Sequence, residues 1–176
     1  MATPYVAVSM ILLHRIGSRI NSNFNTMDEI LTCDEPLSFD GIYREIWEPA
    51  KWLGPFRRKD VTLFVMGKFV GDTNRFDPGQ PFGEYLTWPE ILDLAKMNGW
   101  KVGYHSWSHQ DLTTLTDAEV IREIMPPFPM ERFAYPGGAV DARVAKLVEQ
   151  AGYKEAWSVT QGDGSQFQRR RRYLNW

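Results

Sequence analysis

Residues 99–115 read GWKVGYHSWSHQDLTTL and hold two of the chain's three histidines, His105 and His109. Imidazoles four residues apart can converge on one cation when the backbone between them makes a helical or tight turn. The intervening Ser106, Trp107 and Ser108 include no glutamate, so the pair lacks the built-in base of an H-E-x-x-H site. A carboxylate must come from elsewhere in the chain. Cys33 is the only cysteine, which excludes an intrachain disulfide and a thiolate cluster and leaves imidazole and carboxylate as the metal donors. Taken alone, this spacing is more often one buried structural histidine beside a surface one.

The elements that must position these residues follow from periodicity. DVTLFVMG (60–67), WKVGYHSW, RFAYP and EAWSV have the β-branched and aromatic character of buried strands. Between them, TWPEILDLAKMNG opens with Thr87 and Glu90 at capping-box spacing and closes with Gly99. TDAEVIREIM repeats the box with Thr116 and Glu119 and stops at Pro126 and Pro127. DARVAKLVEQAG carries apolar residues at 144, 147, 148 and 151, one helical face, and ends at Gly152. This order predicts an α/β fold with mostly parallel strands, whose ligands gather at the carboxyl ends of the strands. Four groups sit at such ends: His14 after SMILL, Asp40 after PLSF, His105 after WKVGY and Gly137 after RFAYP.

The chain has 176 residues, 43% hydrophobic and 24% charged, which predicts one domain over residues 1–176. A net charge of −2 gives no reason to expect a nucleic-acid partner. QRRRR (168–172) reads as a solvated tail, with a polyanion contact as the lesser reading. VAVSMILL is too short to span a bilayer and reads as a buried strand. No export signal precedes it, which points to the cytoplasm unless the sequence has been trimmed.

HSWSHQDLTTL resembles the second motif of the polysaccharide deacetylase (NodB-homology) family, in which two histidines at this spacing bind a divalent metal. FAYPGGAVDARVAKLVEQAGYKEAWSV (133–159) resembles the third motif and the helix and strand behind it, and DVTLFVMGKFVG resembles the strand after the first motif. Order and spacing agree from about residue 37 to residue 160. The resemblance implies a distorted (β/α) barrel. The family's first motif has a Thr-Phe-Asp-Asp-Gly pattern, its first Asp a general base and its second a metal ligand. LSFDGIY, aligned without a gap, gives Asp40 the base position and puts Gly41 where the ligand stands. LTCDEP offers Asp34 and Glu35 instead but needs extra residues before the next strand, so Asp40 is preferred. Gly137 replaces the aromatic residue common before the last Gly of the third motif. The family's late histidine is absent, because no histidine follows His109.

On this resemblance the metal ligands are His105, His109 and Asp40, and the catalytic groups are Asp40 and His14. MILLHRIG resembles the segment before the first motif in the subgroup acting on poly-N-acetylglucosamine, which makes His14 a proton donor or a structural strand-end histidine. Substrate and oxyanion contacts fall to Gly137, Tyr135 and Trp107. Zinc is the default ion for a nitrogen-rich site, with cobalt, nickel or iron fitting the same ligands. Trp47, Trp52 and Trp157 fall in helix or strand patterns and are expected in the core. The implied function is metal-dependent removal of N-acetyl groups from a carbohydrate. A catalytically silent carbohydrate-binding protein and an amidase acting on another small C–N bond stand as alternatives.

Overall fold

The computed structural model describes residues 10–16, 24–75, 79–159 and 162–174. Seven strands close a barrel in the order β1 (Met10–Leu13), β4 (Leu37–Asp40), β5 (Val61–Val65), β6 (Lys101–Tyr104), β7 (Arg132–Ala134), β8 (Glu155–Ser158) and β9 (Arg169–Tyr173). Every pairing is parallel, including β9 with β1, which completes the ring. Two short strands, β2 (Arg15–Ile16) and β3 (Phe24–Asn25), pair outside it. Helix α1 (Met27–Thr32) precedes β4, and α2 (Trp47–Trp52) and α3 (Gly54–Arg57) follow it. Helices α4 (Trp88–Asn98), α5 (Asp117–Ile124) and α6 (Ala142–Gln150) follow β5, β6 and β7 in turn. The parallel barrel with outer helices is the architecture that the alternating pattern and the family resemblance predicted.

Side chains alternate across each strand, and the parity decides what the barrel contains. Ile11 and Leu13, Leu37 and Phe39, and Val61, Leu63 and Val65 belong to one buried layer shared with Ala50, Phe56, Ile91 and Leu94 of the helices. A second layer joins Tyr104 and Phe133 to Val120, Ile124, Val144 and Val148. The residues of opposite parity turn inward. Met10, Phe64, Ala134 and Trp157 form a small apolar cluster, and Ser38 and Asp40 lie on the same side of β4 as each other. Asp40 therefore points into the barrel because Leu37 and Phe39 must face the helices.

The helix signals act locally as the sequence predicted. Capping boxes close at Thr87–Glu90 and Thr116–Glu119, and Gly99 ends α4 in the left-handed region at φ 67°. A third capping box, Thr26–Glu29, starts α1 in a stretch whose sequence pattern is weak. Within VAVSMILL, residues 10–13 form β1, whereas residues 6–9 lie outside those described.

Two expectations are corrected. The arginine run is strand β9, not a solvated tail, and Arg171 in its middle is 3% exposed. The run closes the barrel, and its charges have partners: Arg169 with Glu155, Arg171 with Asp40 and Arg172 with Glu35. Trp52 is 74% exposed, not in the core, and its indole N–H donates to Glu48 at 2.7 Å. Trp157 is buried in the barrel as expected.

Candidate active site

The carboxyl ends of β1, β4, β6 and β7 bring His14, Asp40, His105 and the turn Pro136–Gly138 to one rim. Asp40 is the last residue of β4 and is 5% exposed. Arg171 crosses from β9 and grips it with both arms, Nη1 donating to Oδ1 at 2.5 Å and Nη2 to Oδ2 at 2.8 Å. Nη1 also reaches Ser38 Oγ at 3.2 Å, and Ser38 in turn donates to the Ile11 carbonyl at 3.0 Å. The guanidinium sits over the Phe64 ring, 5.2 Å from its centre. Burial pushes the Asp40 pKa up, but the Arg171 charge and hydrogen bonds, helped by His105 and His14, outweigh it and hold the carboxyl well below the usual range. Asp40 is thus buried and ionised at ordinary pH.

His105 follows β6, is 2% exposed, and is pinned through its N–H to the Val65 carbonyl at 2.9 Å. Its Nδ1 lies 2.7 Å from the Ala134 carbonyl oxygen, which can only accept, so Nδ1 carries the ring proton. The lone pair then sits on Nε2, which faces Asp40 Oδ2 at 3.4 Å. Burial lowers the His105 pKa to about 3, Asp40 opposing that shift, so the ring is neutral at ordinary pH. The chain then turns through Ser106 and His109, both left-handed at φ 65° and 63°, and His109 N–H donates to Ser106 Oγ at 3.0 Å. This turn brings the two rings to a centroid distance of 4.9 Å, edge to face. The turn docks on the loop after β5, where Gly67 N–H and Lys68 N–H donate to the carbonyls of Ser106 and Trp107 at 3.1 and 2.9 Å. A Cβ at Gly67 would lie 2.7 Å from the Trp107 ring, so this close approach requires glycine. Trp107 itself is 49% exposed beside the rim.

His14 stacks on Tyr173 with ring centres 6.1 Å apart. Its Nδ1 is buried without a hydrogen-bond partner among the described residues. Burial holds its pKa below the ordinary value, while Asp40 pulls the other way. Gly137 adopts φ 60°, and a Cβ there would meet nothing within 4 Å, so its backbone borders open space.

Not every sequence candidate reaches this rim as a free group. Tyr135 is turned inward: its hydroxyl donates to the Phe167 carbonyl at 2.8 Å and its N–H to the Trp157 carbonyl at 2.9 Å. Both of its donors are committed to the core and neither is available to a substrate. Asp34 and Glu35 precede β4 and so stand at the opposite end of the barrel from Asp40, about 10 Å along a four-residue strand. Glu35 is paired there with Arg172. Four consecutive arginines give no sign of which one turns inward, and only the barrel parity selects it.

A divalent ion has partial support in these donors. Nε2 of His105 and Oδ2 of Asp40 face each other with lone pairs, an arrangement that repels unless a cation lies between them. Their separation is also what two donors about 2.0–2.1 Å from a common ion adopt. The third side chain is short. Among the described residues no three His, Cys, Asp or Glu side chains are gathered into a metal site. Gly41 supplies no ligand, and a Cβ there would lie 2.9 Å from Met66 Cε.

Comparison with known proteins agrees with this fold. The chain is 32% identical over 114 residues to chitin deacetylase 1 of Cryptococcus neoformans var. grubii, covering 60% of this chain and 21% of that protein. It therefore spans about a fifth of that relative's length. Among solved structures, the Streptococcus pyogenes deacetylase PplD in complex with acetate superposes with a TM-score of 0.70 at 13% identity, over 96% of this chain and 93% of that one. The deacetylase domain of BpsB from Bordetella bronchiseptica gives 0.67 at 13% identity, over 98% and 97%. At these identities the structures speak for the fold alone. The family model for polysaccharide deacetylase matches residues 37–156, which runs from β4 into β8 and takes in Asp40, His105, His109 and the Gly137 turn. This chain belongs to the polysaccharide deacetylase family.

Proposed function

We propose that this protein removes N-acetyl groups from a carbohydrate by hydrolysis, using a divalent ion, zinc by default, held by His105 and His109 beside Asp40. The observation that carries the reading is the Nε2–Oδ2 pair: a neutral buried imidazole and an ionised carboxylate whose lone pairs face each other at 3.4 Å. When bound, such an ion would acidify a water and polarise the acetamide carbonyl, help that a base as weak as the Arg171-bound Asp40 requires.

The chain's own groups supply the remainder. Asp40 orients the attacking water and takes its proton. The backbone at Gly137, where a Cβ would meet nothing within 4 Å, offers its N–H to the oxyanion that forms on the acetamide carbonyl oxygen. His14, whose Nδ1 has no hydrogen-bond partner among the described residues, relays a proton to the nitrogen as the C–N bond breaks, leaving acetate and a free amine on the sugar. Trp107 offers a half-exposed ring face for a sugar to stack on. Among the described residues no helix is long and apolar enough to cross a membrane.

The test is acetate release from a panel of N-acetylated oligosaccharides, with and without added zinc or cobalt. His105→Ala and His109→Ala are expected to abolish release while the circular dichroism of the fold is kept. Absence of both acetate release and micromolar zinc binding in the wild-type chain would overturn the proposal. A second reading has its own support, since Arg171 occupies both oxygens of Asp40 and Gly41 adds no ligand. It is a silent glycan-binding protein, and glycan binding without acetate release even under added zinc would favour it.

A further inference from the structure

The turn that brings the two imidazoles together is energetically unusual, because two non-glycine residues within four, Ser106 and His109, are left-handed. Something outside the turn must hold it. The element packed against it is the C-terminal end of α5, where Glu123 is a buried carboxylate. Glu123 receives Ser108 N–H on Oε2 at 2.8 Å and the Ser108 hydroxyl on Oε1 at 2.6 Å. The Gln110 amide reaches Oε1 at 3.4 Å, and Trp107 N–H donates to the Glu123 backbone carbonyl at 2.8 Å. Residues 107, 108 and 110 are thus tied to one side chain and its own backbone. Among the described residues no cation pairs with this carboxylate; its partners are neutral donors from the turn.

We propose that Glu123 is the positioning residue of the histidine pair: its carboxylate clamps Ser108 and Gln110 and so fixes the left-handed turn that sets His109 beside His105. The inference rests on the reading of His105 and His109 as the working pair. A carboxylate suits the task for a reason of hydrogen-bond count. Ser108 offers two donors and Gln110 a third, and a carboxylate only accepts, so all three are satisfied on two oxygens. An amide of the same size would set an NH2 group against donors. The conservative Glu123→Gln variant therefore keeps shape and volume and removes only the match.

The experiment compares wild type, Glu123→Gln and Ser108→Ala by long-range 1H–15N spectra of the imidazole rings, which are legible because the chain has only three histidines. Zinc titration and acetate kinetics accompany the spectra. Glu123→Gln is expected to move the ring nitrogens of His109, and more weakly those of His105, with those of His14 unmoved. Zinc affinity is expected to fall about 10–100-fold, the usual effect of removing an outer hydrogen-bond partner. The kcat is expected to fall about 10–100-fold with KM nearly unchanged, as for a misplacement of about 1 Å. An unchanged ring spectrum in Glu123→Gln overturns the proposal. Should that variant not fold, Ser108→Ala is read by the same spectrum, and unchanged rings overturn it equally. Ring shifts in Glu123→Gln, together with a wild type that neither binds zinc nor releases acetate, would sink the proposed function and leave the clamp standing.

Discussion

Replacing Arg171 with methionine removes the cation that, among the described residues, grips the buried Asp40, and keeps most of the side chain's volume. Breaking one side of a buried ion pair typically costs about 3–5 kcal/mol, because the remaining charge has neither water nor partner. In the wild-type protein Asp40 titrates below its unfolded value of 3.8. A depressed carboxyl contributes stability that is present above the unfolded pKa and is lost as pH falls toward the folded one. Without Arg171 the largest influence left is burial, which pushes upward, so the variant's Asp40 titrates above 3.8 and the sign reverses. Its contribution is then lost as pH rises, at up to about 1.4 kcal/mol per unit. Urea unfolding of both proteins at fixed ionic strength is therefore expected to give a loss of about 3–5 kcal/mol at pH 7 that shrinks by about 1–2 kcal/mol at pH 4. For a chain of this length that corresponds to roughly 6–20 °C in Tm at neutral pH. Arg171→Lys keeps the charge without the fork and should fall between the two. A loss below about 1 kcal/mol, or one equal at both pH values, would refute the reasoning.

His105 acts in the same direction as wild-type Asp40: its folded pKa of about 3 lies below the ordinary imidazole value of 6.5, so the unfolded chain binds more protons between them. Wild-type stability should then fall as pH drops from 7 toward 4, and His105→Gln should flatten that slope by up to about 1.4 kcal/mol per unit, measured by urea unfolding. Gly137→Ala fits the open space but is strained at φ 60°, so it should cost about 1 kcal/mol. If its N–H serves the oxyanion, kcat for acetate release should fall about 10²–10³-fold as the turn shifts, with KM little changed.

The sequence was most informative where the physics is local. Thr87 with Glu90, Thr116 with Glu119, and Gly99 mark helix ends through groups three residues apart or through one backbone angle, and both are visible in a string. Strands β5 to β8 announce themselves as buried apolar runs. His105 and His109 are neighbours along the chain, and Asp40 sits at a strand end that the alternation of elements already implied.

Arg171, Tyr135 and Glu123 were not legible in that way. Arg171 stands 131 residues from Asp40, and which of four arginines faces inward depends on how β9 registers against β1 when the barrel closes. Tyr135 reads as a rim residue because it ends a strand, yet its hydroxyl is drawn inward by a carbonyl 32 residues away. Glu123 looks like one more charge in an amphipathic helix until α5 packs against the turn after β6. By itself the sequence determined which segments become strands and helices and which residue types could do chemistry at their ends, since those follow from periodicity and composition. Only the tertiary structure decided which charge is buried against Asp40 and what holds the histidine turn, because a buried charge and a strained turn are stabilised by groups that come near only after the barrel has closed.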